Sequence, residues 1–373
     1  MTASFPHLKS ASAELARLTC SLLLALLLLP GLTVAATSKK KTKKLPAQET
    51  VQADNVHFAQ WKEVGLFIRQ METRHQFDAG QLETLFEQVR YVDTTRQLVK
   101  PAPAGKPKNW KAYRARFIEP YRIEAGVAFW NQYADTLERA QRQYGVPPEI
   151  IVGLIGVETI FGKHTGKFRV MDTLTTLAFD YPDTPNREAR MQFFRKELEN
   201  MLLLARDAGV DPLLFKGSYA GAIGWSQFMP GSIRQYAVDF DGDGRINLTD
   251  SPVDAIGSVA NYLAQHGWKQ QLPVAFPATL LTESSHPLLV EALSRGLRAT
   301  YSRQDLKDVL STASTEAPEN ILYGVIDLQN GEDAPEYWLG TDNFYAITQY
   351  NRSYFYAMSV FELGRIIKLA REK

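Results

Sequence analysis

One carboxylate stands where an acid is least expected. The segment from Pro148 to Gly162 reads Pro-Glu-Ile-Ile-Val-Gly-Leu-Ile-Gly-Val-Glu-Thr-Ile-Phe-Gly and is apolar nearly all round. That composition belongs to a buried helix. Glu158 lies near its C-terminal end, where burial disfavours the charged form and the negative end of the helix dipole pushes the same way. A carboxyl that keeps its proton near neutral pH can give it to a leaving oxygen. Gly153 and Gly156 leave flat ground on which another backbone could approach, and Gly162 is expected to end the helix. From this segment alone, a pairing with an arginine or simple emergence at the helix end accounts for Glu158 equally well.

A second constellation is built from oxygen. Asp239-Phe-Asp241-Gly-Asp243-Gly244-Arg245-Ile-Asn247-Leu-Thr-Asp250 fits a twelve-residue EF-hand loop. Asp239, Asp241, Asp243, Asn247 and Asp250 fall at positions 1, 3, 5, 9 and 12, Gly244 at the sharp turn, and Arg245 where a carbonyl binds. Position 12 carries Asp rather than Glu, so a modest affinity is expected, on the order of 10⁻⁴ M. A single loop of this kind suggests calcium as a structural brace, not a sensor. The metal-free alternative is an acidic turn.

Other chemistries lack their residues. The six histidines include no HExxH pair, and neither a G-x-S-x-G elbow nor a phosphate loop occurs. No organic cofactor is expected. With 42 basic and 41 acidic residues, no basic field argues for nucleic acid. Aromatics make up 11% of the 373 residues, which suits stacking on sugar and ordinary cores alike.

The elements that position these groups follow from the patterning. Lys9 and Arg17 precede an apolar run, Leu18 to Leu29, and Pro30-Gly31 and Val34-Ala35-Ala36 follow, the layout of a secretory signal over residues 1–36. Retention as a membrane anchor is the other reading. A lipoprotein is not, because the only cysteine, Cys20, lies at the front of the apolar run instead of after it. Residues 37–52 form a Lys-rich linker. Residues 53–146 read as helical, with one long helix around Ile123 to Leu137 and a Pro/Gly/Lys loop at 101–107. Residues 147–269 read as a helical core. Residues 270–349 read as a small α+β insert, with strands at Val274, Ile321, Glu336 and Asn343 to Thr348, an Asn330-Gly331 hairpin turn, and helices near 288–297 and 303–310. A helix closes the chain after residue 350. Asp172 is expected to cap a helix beginning at Thr173.

Several runs together resemble one family. Ile155-Gly-Val-Glu158-Thr-Ile-Phe-Gly162, Gly217-Ser-Tyr-Ala-Gly-Ala-Ile-Gly-Trp-Ser-Gln227-Phe-Met-Pro230, the acidic loop, Gly257-Ser-Val-Ala-Asn-Tyr262 and Asn343-Phe-Tyr-Ala-Ile-Thr-Gln-Tyr350-Asn351 with Tyr356-Ala-Met are similar to the lytic murein transglycosylase B family. The likeness runs from about Trp110 to the end. It implies an α+β, mainly α fold with a lysozyme-like core. It also implies cleavage of the β-1,4 bond between N-acetylmuramic acid and N-acetylglucosamine, with a 1,6-anhydro end. Glu158 would be the sole acid and base. Ser218, Gln227, Tyr262, Tyr350, Asn351, Tyr356 and, on a weaker local match, Tyr113 would bind or orient substrate. Ile160-Phe161 departs from the Arg-Trp pair of some relatives and would alter the cleft rim.

The expected partner is the peptidoglycan glycan strand, with other cell-wall enzymes as further candidates, for a monomer exported to the periplasm. Two alternatives stand beside this. A lysozyme-type hydrolase would need a second acid, for which Asp172 and Asp180 are the nearest in sequence. A non-catalytic, calcium-braced wall-binding protein would need no acid at all.

Overall fold

The computed structural model describes residues 57–101, 105, 107–312, 314 and 317–373. The expected signal, the Lys-rich linker and most of the 101–107 loop lie outside the described residues.

Helices α1 (Lys62–His75), α2 (Ala79–Glu87), α3 (Asp93–Leu98) and α4 (Trp110–Arg114) come first. A left-handed Gln76 stops α1, and Asp78 accepts from Gln81 N to start α2. The long helix expected near residue 130 is two, α5 (Pro120–Gln132) and α6 (Ala134–Tyr144), broken at the non-helical Tyr133. Next come α7 (Pro148–Thr159), β1 (Phe168–Arg169), α8 (Val170–Phe179), α9 (Arg187–Ala208), β2 (Lys216–Gly217), α10 (Pro230–Tyr236) and α11 (Pro252–Gln265). Strand β1 pairs antiparallel with β2.

The remaining elements are β3 (Ala275–Leu280), α12 (Pro287–Ser294), α13 (Arg303–Leu306), β4 (Leu310–Ser311), β5 (Gly324–Asn330), β6 (Asp333–Gly340), α14 (Asp342–Tyr350) and α15 (Tyr354–Arg371). The four strands form an antiparallel sheet ordered β4-β3-β6-β5. Gly331, at φ +71°, makes the β5–β6 turn where Asn-Gly was expected. Strand β5 serves two cores through its alternation. Val325 joins the sheet's own cluster with Phe276, Leu289, Leu306 and Leu339, while Ile326 and Leu328 belong to the main helical core.

Two expectations in this region fail. The run Asn343–Thr348 is not a strand but the body of α14. Thr341 caps it by accepting from Asn343 N, and Phe344 and Ile347 fall one turn apart, both fully buried. Aromatic and β-branched content suggested a strand, and burial against helices overrode it. The helix expected to reach Leu310 stops at Leu306, and Leu310 joins the sheet.

The crossing of α7 and α15 positions the candidate acid. A Cβ at Gly153 would sit 2.2 Å from the Val360 carbonyl oxygen, and one at Gly364 would sit 2.0 Å from that of Glu149. Glycine alone lets these backbones touch, as the sequence suggested for Gly153. The contact delivers Tyr356, near the start of α15, to the end of α7.

Candidate active site

Helix α7 ends one residue past Glu158. Ile160, not Gly162, breaks it, with φ 50° and ψ 55°; Phe161 (φ 53°) and Gly162 (φ 81°) continue in the left-handed region. For a β-branched residue this conformation is strained and persists only when its surroundings hold it. The Thr159 hydroxyl does much of the holding. It accepts from Gly162 N at 3.1 Å and donates to the Trp225 carbonyl at 3.0 Å, tying the helix end to the Gly-rich segment. Phe161 is not on a cleft rim as expected. It is buried, with its ring 5.0 Å from that of Phe129.

The Glu158 carboxyl is surrounded by protein atoms, although part of the residue still reaches solvent. Tyr356 donates its hydroxyl to Glu158 Oε1 at 2.6 Å. Burial pushes the carboxyl up to about 8, and the Tyr356 hydrogen bond pulls it part of the way back. Among the described residues no ionised neighbour contributes to that balance. The Tyr356 hydroxyl is itself raised well above 10, first by burial and then by the Glu158 charge, so it stays a donor. Tyr356 is fully buried, and its hydroxyl is spent on the Glu158 carboxyl.

Removing this donor should show in the pH profile. The bond favours the ionised form, so Tyr356→Phe should raise the Glu158 pKa further and move the alkaline limb of kcat/KM upward. Loss of positioning should lower the rate roughly tenfold or more. An unmoved limb in a folded variant would refute the assignment.

Neither candidate second carboxylate is available. Asp172 does not cap α8. It lies inside the first turn, and its carboxylate binds Arg169 at 2.6 Å and accepts from Arg90 N at 3.0 Å. Arg169 itself takes over the position before the helix. Asp180 accepts from Tyr91 Oη at 2.7 Å and pairs with Arg96 and Arg187. Both acids pin α8 to neighbouring segments.

The other expected residues divide into a floor and a lining. Tyr350 stacks on Tyr356 with ring centroids 6.4 Å apart and planes at 13°, and Tyr262 meets Tyr350 edge-on at 4.8 Å. Tyr350 donates to the Ser226 carbonyl, and Tyr262 donates to the Gln349 carbonyl at 2.8 Å. Both are nearly buried. Gln227, left-handed at φ 49°, donates to the carbonyls of Thr165 and Gly224, which leaves its Oε1 without a protein donor among the described residues. The buried Ser218 hydroxyl accepts from Ala222 N at 3.0 Å and shapes that turn. Asn351, half-buried at the exit of α14, makes no side-chain hydrogen bond among the described residues. Tyr113, half-buried against Phe355 and Phe117, feels the Glu158 charge, although burial is the larger cause of its raised pKa.

The acidic loop folds around its own carboxylates. Asp239 accepts from Gly242 N and Gly244 N, Asp243 from Arg245 N, and Asn247 Oδ1 from Asp250 N. The carboxylate oxygens that converge, within 4.8 Å of one another, belong to Asp239, Asp241 and Asp254. Asp254 lies beyond the twelve-residue window, in the first turn of α11, and sequence reasoning missed it. It is buried and accepts from the backbones of Phe240, Asp241 and Asn247. Three hard oxygen donors at this spacing suit a divalent cation such as calcium. Trp225, also missed, links loop and site. Its N–H groups donate to the Leu248 and Thr249 carbonyls, and its own carbonyl receives Thr159.

A mainly helical, lysozyme-like fold with a lone raised carboxyl at the end of a buried helix defines a polysaccharide-cleaving class. Residues 57–365 match the transglycosylase SLT domain, and the chain belongs to that family. It is 44% identical over 336 residues to the membrane-bound lytic murein transglycosylase B of Escherichia coli strain K12, covering 88% of each chain. Soluble lytic transglycosylase SltB1 of Pseudomonas aeruginosa is 46% identical with a TM-score of 0.73, over 83% of this chain and 100% of that one. Slt35 of E. coli, solved in complex with calcium, is 43% identical with a TM-score of 0.74, over 88% and 100%. The protein is thus a lytic transglycosylase of this type, an enzyme acting on murein. Among the described residues no helix is long and apolar enough to cross a membrane.

Proposed function

We propose that Glu158 alone supplies acid and base for non-hydrolytic cleavage of the β-1,4 bond between N-acetylmuramic acid and N-acetylglucosamine. The observation that carries this is the isolation of its carboxyl: raised to about 8, bonded to Tyr356, and with no second carboxylate among the described residues acting on it. Ordinary glycosidases need two acids, one to protonate the leaving oxygen and one to activate water or attack. Here Glu158 protonates the departing oxygen, and the C1–O bond breaks. The muramoyl C6 hydroxyl then attacks C1 and returns its proton to Glu158. The nucleophile is already held near the reacting carbon by its own ring. The product is a 1,6-anhydromuramoyl end, and the enzyme regains its proton.

Ser218, Gln227, Asn351 and Tyr113 would line the sugar sites, over a floor of Tyr262, Tyr350 and Tyr356. Digesting purified murein and weighing the fragments tests the reading. Anhydro ends are expected, each 18 mass units below its hydrated counterpart by the loss of one water (about one H₂O). Exclusively water-added ends would make the enzyme a hydrolase. The secretory-signal layout of residues 1–36 and a murein substrate support export to the periplasm.

The acidic loop would hold a structural calcium ion through Asp239, Asp241 and Asp254, joined by Asp243, the Arg245 carbonyl, Asn247 and Asp250 as that loop closes. Its support is the converging carboxylates here and the calcium in Slt35. At a hundredfold excess over Kd, calcium should stabilise the fold by about 2.7 kcal/mol, a rise in Tm of about 5 °C. Chelator should reverse it. An unchanged Tm across that range would end the assignment.

A further inference from the structure

A cavity of about 1080 Å³ opens beside the tyrosine floor. It lies between α9, α10, the end of α11 and the segment after α12, and it is closed by Gln349 and Arg352. Tyr262 belongs to both places, so the cavity begins two rings from Tyr356 and the acid.

Its walls are cationic. Lys196, Arg234, Arg295, Arg298 and Arg352 line it, against a single acid, Glu197. Lys196, Arg234 and Arg295 already have carboxylate partners in Glu199, Asp207 and Glu291. Arg298 is exposed and has no ion-pair partner among the described residues. Glu197 is nearly buried. Its Oε2 accepts from Gly231 N at 2.7 Å, while Oε1 receives no donor from the described residues.

Neutral sugars have little use for such a wall. A muramoyl residue, however, carries a stem peptide with several carboxylates and, where it contains a diamino acid, one primary amine. We infer that this cavity receives the stem peptide, with Arg298 pairing a carboxylate and Glu197 Oε1 accepting the amine. The assignment deepens the proposed murein reading and rests on it for the identity of the peptide. It makes the enzyme selective for peptide-bearing strands at a site separate from the cleaved bond. Burial pushes the Glu197 carboxyl up to about 7, so an arriving ammonium would favour its ionised form.

The test uses the full chain and one defined probe, the tripeptide N-acetyl-L-Ala-γ-D-Glu-diaminopimelate, whose single primary amine is that of the diamino acid, as in the strand. Binding is measured by calorimetry on Glu158→Gln protein, which needs no turnover. Arg298→Glu, an exposed change that spares the core, should weaken binding at least tenfold. Acetylating the peptide amine should weaken it severalfold for the parent protein and have little effect when Glu197→Gln is present. In kinetics, Arg298→Glu should raise the ratio of KM for peptide-bearing over peptide-free strands about tenfold.

Failure of the two readings looks different. An enzyme that cleaves neither kind of strand sinks the catalytic proposal, and tripeptide binding still reports on the cavity. No tripeptide binding, or an Arg298→Glu defect equal on both strands, overturns the cavity assignment.

Discussion

Glu158→Gln should lower murein cleavage by roughly 10³-fold or more while making the protein more stable at alkaline pH. The loss follows from the mechanism, because glutamine can neither give the leaving oxygen a proton nor take one from the C6 hydroxyl. The gain follows from linkage. In the folded protein Glu158 keeps its proton up to about pH 8, whereas an unfolded glutamate releases it near its ordinary value of 4.5. Stability associated with that proton is complete below pH 4.5 and is lost as pH rises towards 8.

Glutamine has no such loss. The variant and parent should melt together near pH 4 and diverge above it, the variant ahead by an amount on the order of 1–3 kcal/mol at pH 8 once solvent access to the site discounts the shift. The Tyr356 hydroxyl can still donate to the amide oxygen, so the local geometry should survive. Release of soluble fragments and melting curves across pH read both effects. A variant that keeps a tenth of the parent's rate would remove Glu158 from the chemistry.

Gly153→Ala should destabilise the protein by about 2 kcal/mol or more and cripple cleavage without altering any catalytic group. Helix propensity points the other way, since alanine usually favours a helix interior over glycine by about 1 kcal/mol. Here the added Cβ meets the Val360 carbonyl oxygen at 2.2 Å, a backbone atom that cannot swing aside. Helix α15 must back away from α7. Tyr356 rides on α15, so its hydrogen bond to Glu158 is lost with the packing. Gly65→Ala on α1 is the control, because its Cβ would find only the Arg69 side chain, at 3.9 Å. That change should be neutral or slightly stabilising. Denaturant unfolding and cleavage assays on the pair decide the matter. Equal stability of the two variants would mean that the α7–α15 contact is looser than described.

Much of the site was legible in advance because its signals are local. An acid in an apolar run, glycines spaced for a close crossing and a Gly-rich segment with fixed neighbours can all be read within a dozen residues. Reading by strand-like composition failed at Asn343–Thr348, where aromatic and branched residues fill a buried helix. Reading a cap at Asp172 failed because its partners, Arg90 and Arg169, come from the backbone of a distant turn and from the residue just outside the helix. Asp254 escaped notice because its three backbone donors come from residues seven to fourteen positions earlier.

By itself the sequence determined the helical class, the apolar setting that raises the Glu158 carboxyl, and the glycine that lets a second helix approach. These depend on residue type and short spacing. Tertiary structure alone decided which helix approaches, that the Tyr356 hydroxyl meets the Glu158 carboxyl, that Phe161 turns into the core, and that Thr159 and Trp225 join the acidic loop to α7. Each of those is a contact between segments far apart in the chain. Its partner is chosen by shape and by the need of every buried polar group for a hydrogen bond, which local sequence does not encode.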